Sequence, residues 1–576
     1  MATRRSRNLL PVCLGALLIS SALCLSAPAW AVCGGASPSW TVAQPVAGEV
    51  HRSDVADCVT STNAALQDGD TVNIPAGTSP SGDWTTTVTI NNAINLIGAG
   101  QGVTVLKDEV SKGTTCSGAG ASQPIINMLG SGNKNWRISG FTIQGVTVDT
   151  SVCTGPHLQV SGSAGSGAPA GNGFRIDHLT ILQTATAIAA LGDLRGVIDH
   201  NMFDATASPH RFGITVEHGS WQGVGGNGDN SWATPDSMGT SDAVFIEDNH
   251  FIDPRANAAG QIDPNAGARV VFRYNPQVPK LGSHGTETAG RKRSVRQMEI
   301  YNNCFDVGTQ DVTSNGGNFD TLLGWRGGTG VVYNNTFRST TTGDCGATTA
   351  AGHTYGPNIV KFQNFRSTEA FQMNAGQVMW GACGAANWDH YQNSGAPYKT
   401  GTATGGTASS LIDTGTDFTT ACGGGTCNDT NGRNYTLRNT TQNWATAITG
   451  LSGSNTVTFS QKSNAGGNYP ATNAGDSYAI YRASPCLDQV GWGQGDLISG
   501  ATPTPADLHQ AASPVYLWNN DLQGNTSPTS SINPPAHIQR GTDINDNTAK
   551  PGWTPYTYPH PLVSGGGTTG RFRLRY

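Results

Sequence analysis

Short runs of apolar, β-branched and aromatic residues, separated by glycine and asparagine, recur along the whole chain, and no long stretch carries the spacing of an amphipathic helix. Such runs predict an all-β protein. One arrangement repeats: an apolar residue, two variable residues, asparagine, one variable residue and a second apolar residue. It stands at Ile198–Phe203 (IDHNMF), Ile246–Phe251 (IEDNHF), Ile300–Phe305 (IYNNCF), Val332–Phe337 (VYNNTF) and Leu517–Leu522 (LWNNDL), with a partial copy at Phe272–Asn275 (FRYN). The shared asparagines are Asn201, Asn249, Asn275, Asn303, Asn335 and Asn520, and the gaps as far as Asn335 are 48, 26, 28 and 32 residues.

Gaps that uneven exclude a solenoid of identical units and fit coils of three short strands joined by loops of variable length. Each copy predicts a strand, a tight turn at the asparagine, and a second strand. Asparagine tolerates left-handed backbone angles, and its amide can bond to the amides of the coils above and below, so a stacked ladder gives the repeat a physical reason. The expected architecture is a right-handed parallel β-helix over residues 32–395, with Asn201, Asn249, Asn303 and Asn335 in one line along the axis. A sandwich of hairpins gives a fixed asparagine no comparable role. Residues 396–482 lack the repeat and are rich in threonine and glycine, which predicts a small inserted β-domain. LWNND restores the repeat, so residues 483–576 are expected to return to the helix. There the proline-rich PGWTPYTYPHPL should cap the last coil, whose strand edge would otherwise be unpaired.

The first 31 residues read as a signal peptide cleaved after Ala31: Arg4, Arg5 and Arg7, an apolar run from Leu9 to Leu25, then Ala29-Trp30-Ala31. No later stretch reaches the apolar length of a spanning helix, so the mature protein is expected to be secreted, with no membrane span. Removing the segment takes 33 basic residues to 30 against 39 acidic ones, a net charge of −9. That balance argues against nucleic acid as a partner. Ten of the 12 cysteines remain, an even number that implies disulfides in an exported protein. The expected pairs are Cys422–Cys427, Cys116–Cys153 and Cys33–Cys58, while Cys304, Cys345, Cys383 and Cys486 have no readable connectivity.

The opening segments DGDTVNIPAGT (Asp68–Thr78) and VTINNAINLIGAG (Val88–Gly100) resemble the first coils of β-helix proteins that act on polysaccharides. VIDHNMF is similar to the strand–turn element of the pectate-lyase-like superfamily. The resemblance covers roughly residues 50 to 395 and implies a carbohydrate-active, polysaccharide-binding protein. It identifies the fold more strongly than the activity.

Candidate chemistry comes from aligning the coils on the repeated asparagine. ITVEHG (Ile214–Gly219), GQIDPNAG (Gly260–Gly267), HGTETAG (His284–Gly290) and LLGWRGG (Leu322–Gly328) should stack as one row. This sets Glu217, Asp263, Glu287 and Arg326 at matching heights, with His218 and His284 beside them. Strands about 4.8 Å apart bring such carboxylates close enough to share a proton or hold a cation. The resemblance implies that this row carries the catalytic groups, so Glu217, Asp263, Glu287, His284 and Arg326 are the candidates. It also implies that Glu217, Asp263 and Glu287 bind Ca²⁺ if the reaction is that of a calcium-dependent lyase. Arg269 and Arg273 could neutralise a uronate carboxylate, or simply charge a sheet edge. Trp221 and Trp232 could stack on sugar faces, or pin their own loop. The bland alternative for the acidic row is a solvated outward strand face. Two reactions fit it: lyase chemistry, or glycoside hydrolysis with carboxyl groups about 5 Å or about 6.5–9.5 Å apart. The alternative function is a non-catalytic surface adhesion or carbohydrate-binding protein.

Overall fold

The computed structural model describes residues 33–60, 63–111, 123–130, 134–145, 155–162, 173–182, 186–206, 213–217, 236–252, 260–285, 294–306, 322–338, 345, 360–364, 397–422, 427–428, 434–459, 463–464, 467–468, 470–482, 485–486, 488–494, 511–522, 525–526, 530–533 and 537–564. Among them thirteen strands form one long sheet, parallel throughout except for its first pair, Cys33–Ala36 with Ser39–Val42. One coil shows the plan: Gly196–Asp199 lies in the long sheet, Met202–Asp204 in a second sheet and Ile214–Glu217 in a third, before the chain re-enters the long sheet at Val244–Glu247. The fold is a right-handed parallel β-helix, the hand that twisted strands impose on parallel crossovers.

Alternation along each strand fills the interior. Ile138, Ile176, Ile198, Ile246, Phe272, Ile300, Val332 and Leu517 stand in register on successive long-sheet strands, all buried. The closing phenylalanine of the repeat makes a matching column in the second sheet, with Phe203 stacked on Phe251 at 4.9 Å and Phe305 on Phe337 at 4.8 Å. The entry end is covered by the short helix Arg52–Val59, which buries Val55, Cys58 and Val59 and is tied by Cys33–Cys58.

The asparagine ladder runs through six coils. Each backbone N–H donates to the side-chain oxygen of the next asparagine: Asn201 to Asn249 (3.0 Å), Asn249 to Asn275 (2.9 Å), Asn275 to Asn303 (3.0 Å), Asn303 to Asn335 (3.1 Å) and Asn335 to Asn520 (3.1 Å). The side-chain amides run the same way, Asn303 Nδ2 reaching Asn335 Oδ1 at 3.0 Å. One detail differs from expectation. The left-handed residue of each turn is not the ladder asparagine but the residue before it: His200, Asp248, Tyr274, Asn302, Asn334 and Asn519 all have φ between 51° and 57°. Burying the asparagine frees its amide for the ladder and hands the strained angle to its neighbour. Asn303→Ala would leave the Asn275 amide and the carbonyls of Phe272 and Tyr301 short of partners. Each buried group so orphaned costs about 1–3 kcal/mol. Urea unfolding should therefore show a loss of at least about 3 kcal/mol.

The last ladder step joins Asn335 to Asn520, 185 residues on. The chain between leaves the helix after Val360–Gln363 and returns at Val515–Trp518. Within it, two four-stranded antiparallel sheets, bounded by Lys399–Thr402 and Ser477–Tyr481, enclose a separate core around Phe418, Leu437, Trp444, Val457, Tyr478 and Ile480. Cys422–Cys427 staples this unit. Cys304 pairs with Cys345, and Cys486 is disulfide-bonded as well. Cys116 and Cys153 lie outside the described residues. No described helix is long and apolar enough to cross a membrane.

The proline-rich C-terminal segment, expected over the end of the last coil, instead runs as a strap along the outer face of the long sheet. That face carries Val197, Phe245, Val271, Tyr301, Val331 and Tyr333, an apolar patch that needs cover. Trp553 packs edge-on against Tyr301, Tyr333 and Trp518, Tyr556 packs on Phe245, and the carbonyl of Val563 accepts from Arg175 at 3.3 Å. Beneath the strap, Glu299 accepts from the Gly239 N–H and from Trp553 Nε1, both at 2.9 Å. Burial outweighs those donors and pushes its carboxyl up to about 7. The folded chain thus keeps a proton that the unfolded chain releases above about pH 4.5. This group's contribution to stability falls as pH rises through that window and levels off above about pH 7. Glu299→Gln forfeits one accepted bond at every pH but removes the decline. The stability difference between wild type and variant should therefore shift in the variant's favour by roughly 3 kcal/mol between pH 4.5 and 7, read by urea unfolding.

Candidate functional site

The row proposed from sequence is the outward face of the third sheet. Ile214–Glu217 pairs in parallel with Ile262–Asn265, Thr215 opposite Asp263 and Glu217 opposite Asn265. Ile214, Val216 and Ile262 point inward, so Thr215, Glu217, Asp263 and Asn265 share the outer face. Glu217 Oε1 accepts from Asn265 Nδ2 at 3.1 Å. On the next coil, His284 stands beside Asp263, its Nδ1 on Asp263 Oδ1 in a short contact, and its backbone N–H donates to the carbonyl of Pro264 at 3.1 Å. Asp263 is 1 % exposed although its strand face is outward, so the pair sits in a recess rather than on open surface.

Cations follow along the same sheet. Leu281 bridges to Leu323, and Leu323–Trp325 pairs in parallel with Val360–Gln363, setting Gly324 opposite Lys361. Arg326 follows this strand, its backbone N–H donating to Ser283 Oγ at 3.1 Å. Burial pushes the Lys280 ammonium below the usual lysine range, and the positive charges of Arg326 and Lys361 push the same way. Lys280, Arg326 and Lys361 thus lie on the coils that follow Asp263 along this sheet.

The two arginines assigned to substrate divide. Arg269 lines a small pocket at the corner between the third and long sheets with Glu217, Asp193, Asp242 and the backbone turn at Gly192. Its Nη1 pairs with Asp242 at 2.6 Å. Arg273 is elsewhere. It lies on the outer face of the long sheet, fully buried, bonded to Glu247 (2.6 Å), Tyr301 Oη (2.9 Å) and the strap carbonyls of Tyr556 and Thr557 (2.7 and 2.8 Å). Its position corrects the expectation that it meets a substrate carboxylate: its guanidinium is occupied in clamping the C-terminus. Glu287, His218, Trp221 and Trp232 lie outside the described residues.

Sequence reasoning missed Lys280, Lys361 and Asn265. Lys280 sits in VPKLGSHG, a stretch without strand alternation, and only the pairing of Leu281 with Leu323 shows that it enters the row. Calcium takes six to eight oxygen ligands. The described part of the row offers Glu217, Asp263 and Asn265, with one oxygen of each carboxylate already engaged by Asn265 or His284. Glu287, the third expected ligand, lies outside the described residues, so these donors are a partial set. Among the described residues the metal-sized group is Cys304, Asp306 and Cys345, whose two sulfurs are joined in a disulfide.

Two solved structures are similar to this chain. One is the A-module of the mannuronan C-5 epimerase AlgE6 of Azotobacter vinelandii, at 14 % identity over 51 % of this chain and 84 % of that one, with a TM-score of 0.23. The other is the A-module of mannuronan C-5 epimerase AlgE4 of the same organism, at 11 % identity over 51 % and 86 %, with a TM-score of 0.20. No family model and no curated protein matches the chain.

Proposed function

We propose that this is an exported carbohydrate-active enzyme, a polysaccharide lyase that removes the C5 proton of a uronate residue in an acidic polymer. The observation that carries the reading is His284, held by the recessed carboxylate of Asp263, on the strand row that also gathers Lys280, Arg326 and Lys361. A carboxylate on Nδ1 keeps the proton there and leaves Nε2 as the base, the role an aspartate plays toward a catalytic histidine. Charge developing on the substrate carboxylate as the C5 proton leaves is stabilised by fixed cations already in place. Electrons of the C5–H bond form the C4–C5 double bond, the C4–O bond breaks, and the leaving oxygen takes a proton from solvent. A hydrolase instead needs a carboxylic acid free to protonate the leaving oxygen. The described carboxylates are both engaged as acceptors by neighbouring side chains. No step is assigned to calcium.

The test is incubation of the mature protein with polymers of galacturonate, glucuronate, mannuronate and guluronate, and with neutral polysaccharides, with and without EDTA. Ultraviolet absorbance of unsaturated uronate that survives EDTA is the expected result. New reducing ends without that absorbance would make the protein a hydrolase. Binding without turnover of any polymer would leave the adhesion reading.

A further inference from the structure

The outer face of the third sheet changes chemistry along the helix axis. On the coils before Asp263 its outward positions include Asn127, Gln159, Ser161, Ala189, Leu191 and Thr215, all uncharged and in register from strand to strand. His157, on the same strand as Gln159, is buried against Asp108, its Nδ1 2.6 Å from Oδ2. The carboxylates of Glu217 and Asp263 come next, and Lys280, Arg326 and Lys361 lie on the coils after them. A polymer that meets both the Asp263–His284 pair and Lys361 therefore runs along the axis, across successive strands about 4.8 Å apart.

Hydrogen-bonding sense divides the face in the same way. Asn127, Gln159 and Ser161 form one cluster, in which Gln159 Nε2 donates to Ser161 Oγ at 3.0 Å and to Asn127 Oδ1 at 3.4 Å. The amide nitrogen is thereby committed, while Gln159 Oε1 is buried and accepts no hydrogen bond. Asn265 repeats the arrangement beside the Asp263–His284 pair. Its Nδ2 donates to Glu217 Oε1 at 3.1 Å and to the Asp263 carbonyl at 3.3 Å, and its Oδ1 accepts nothing although the residue is fully buried. A buried acceptor without a donor is costly, and a ligand hydroxyl that donates to it recovers that cost. A carboxylate has no proton to donate, and beside Glu217 it meets like charge. Arg269, at the corner past Glu217, is already paired with Asp242 at 2.6 Å.

We propose that the substrate is a mixed polymer, with a uronate at the Asp263–His284 pair and toward Lys361, and a neutral sugar on the coils before it. There Glu217, Asn265 and Gln159 accept hydrogen bonds from the hydroxyls of the neutral residue. This rests on the reading of the row as a lyase site, and narrows its substrate from acidic polymers in general to those in which uronate alternates with neutral sugar. Discrimination works from both sides: hydroxyls satisfy the acceptors, and a carboxylate in their place is repelled and leaves them unpaired.

Calorimetric binding to the full mature chain carrying His284→Gln, in which the base is gone and every ligand stays intact, tests this. The ligands are oligosaccharides of equal length from hyaluronan, from the alternating galacturonate–rhamnose backbone of pectin, from polygalacturonate and from alginate. At least one alternating ligand should bind about tenfold or more tightly than either polyuronate. Glu217→Gln, which removes charge and keeps shape, should tighten the polyuronates by about fivefold or more and move the alternating ligand little. Gln159→Leu should weaken the alternating ligand by about fivefold or more and leave the polyuronates unchanged. A polyuronate that binds as tightly as the alternating ligands, no binding of either alternating ligand, or equal effects of each variant on both classes would overturn the mixed-polymer assignment. Wild-type turnover separates this from the lyase reading. Unsaturated product formed faster from a polyuronate keeps the lyase and sinks the neutral site, whereas selective binding of an alternating ligand without unsaturated product keeps the neutral site and sinks the lyase.

Discussion

Arg273→Met should cost about 3–5 kcal/mol in urea unfolding and open the C-terminal segment to proteolysis. The side chain is fully buried, and its guanidinium serves four partners at once: Glu247, the Tyr301 hydroxyl, and the carbonyls of Tyr556 and Thr557. Methionine fills much of the volume but leaves Glu247 as a buried carboxylate supported only by the His560 N–H at 2.8 Å. Burial already pushes the Glu247 carboxyl up, against the pull of Arg273. Removing the arginine therefore leaves the charge to be neutralised or the strap to lift. The double variant Arg273→Met/Glu247→Leu should recover most of the loss, because a buried pair replaced whole by apolar groups is close to neutral. A single variant that loses less than about 1 kcal/mol would show that the strap is held by its aromatic packing and not by this clamp.

Why Arg273 was misread, and the asparagines were not, comes down to how far each residue's partners lie in sequence. A ladder asparagine bonds to the same residue type on the next coil whatever the loop length, so the requirement is written into every copy of the repeat. Arg273 finds two of its acceptors 283 and 284 residues away, in a segment whose register on the sheet no local pattern encodes. The same reasoning divides the candidate site. Glu217 and Asp263 were legible because strand alternation sends them to one face once the coils are aligned. His284 joined them because the segment after Leu281 runs alongside Ile262–Asn265, its backbone N–H bonding to the Pro264 carbonyl. Lys280 and Lys361 were not legible, since both owe their place to pairings across loops of uneven length.

Asp263→Asn should lower kcat on the polymer that the wild type cleaves by about 10²–10⁴-fold, with KM little changed. Asp263 does not meet the substrate in this scheme. It is a positioning residue that fixes the proton on His284 Nδ1, and the amide of asparagine can equally donate to that nitrogen and hold the wrong tautomer. A structural role predicts something else: lost stability and a parallel loss of binding. The isosteric exchange keeps volume in the recess, and the interior of the helix is built from the inward column, to which Asp263 does not belong. Far-UV circular dichroism and the unfolding midpoint should therefore stay close to wild type while turnover falls. His284→Gln should reach the same residual rate, and adding Asp263→Asn to it should cost nothing further, since two groups acting as one unit are not additive. Full activity in Asp263→Asn would remove the pair from the mechanism. Equal and additive losses from the two changes would separate them and leave the cations of the row to act with some other base.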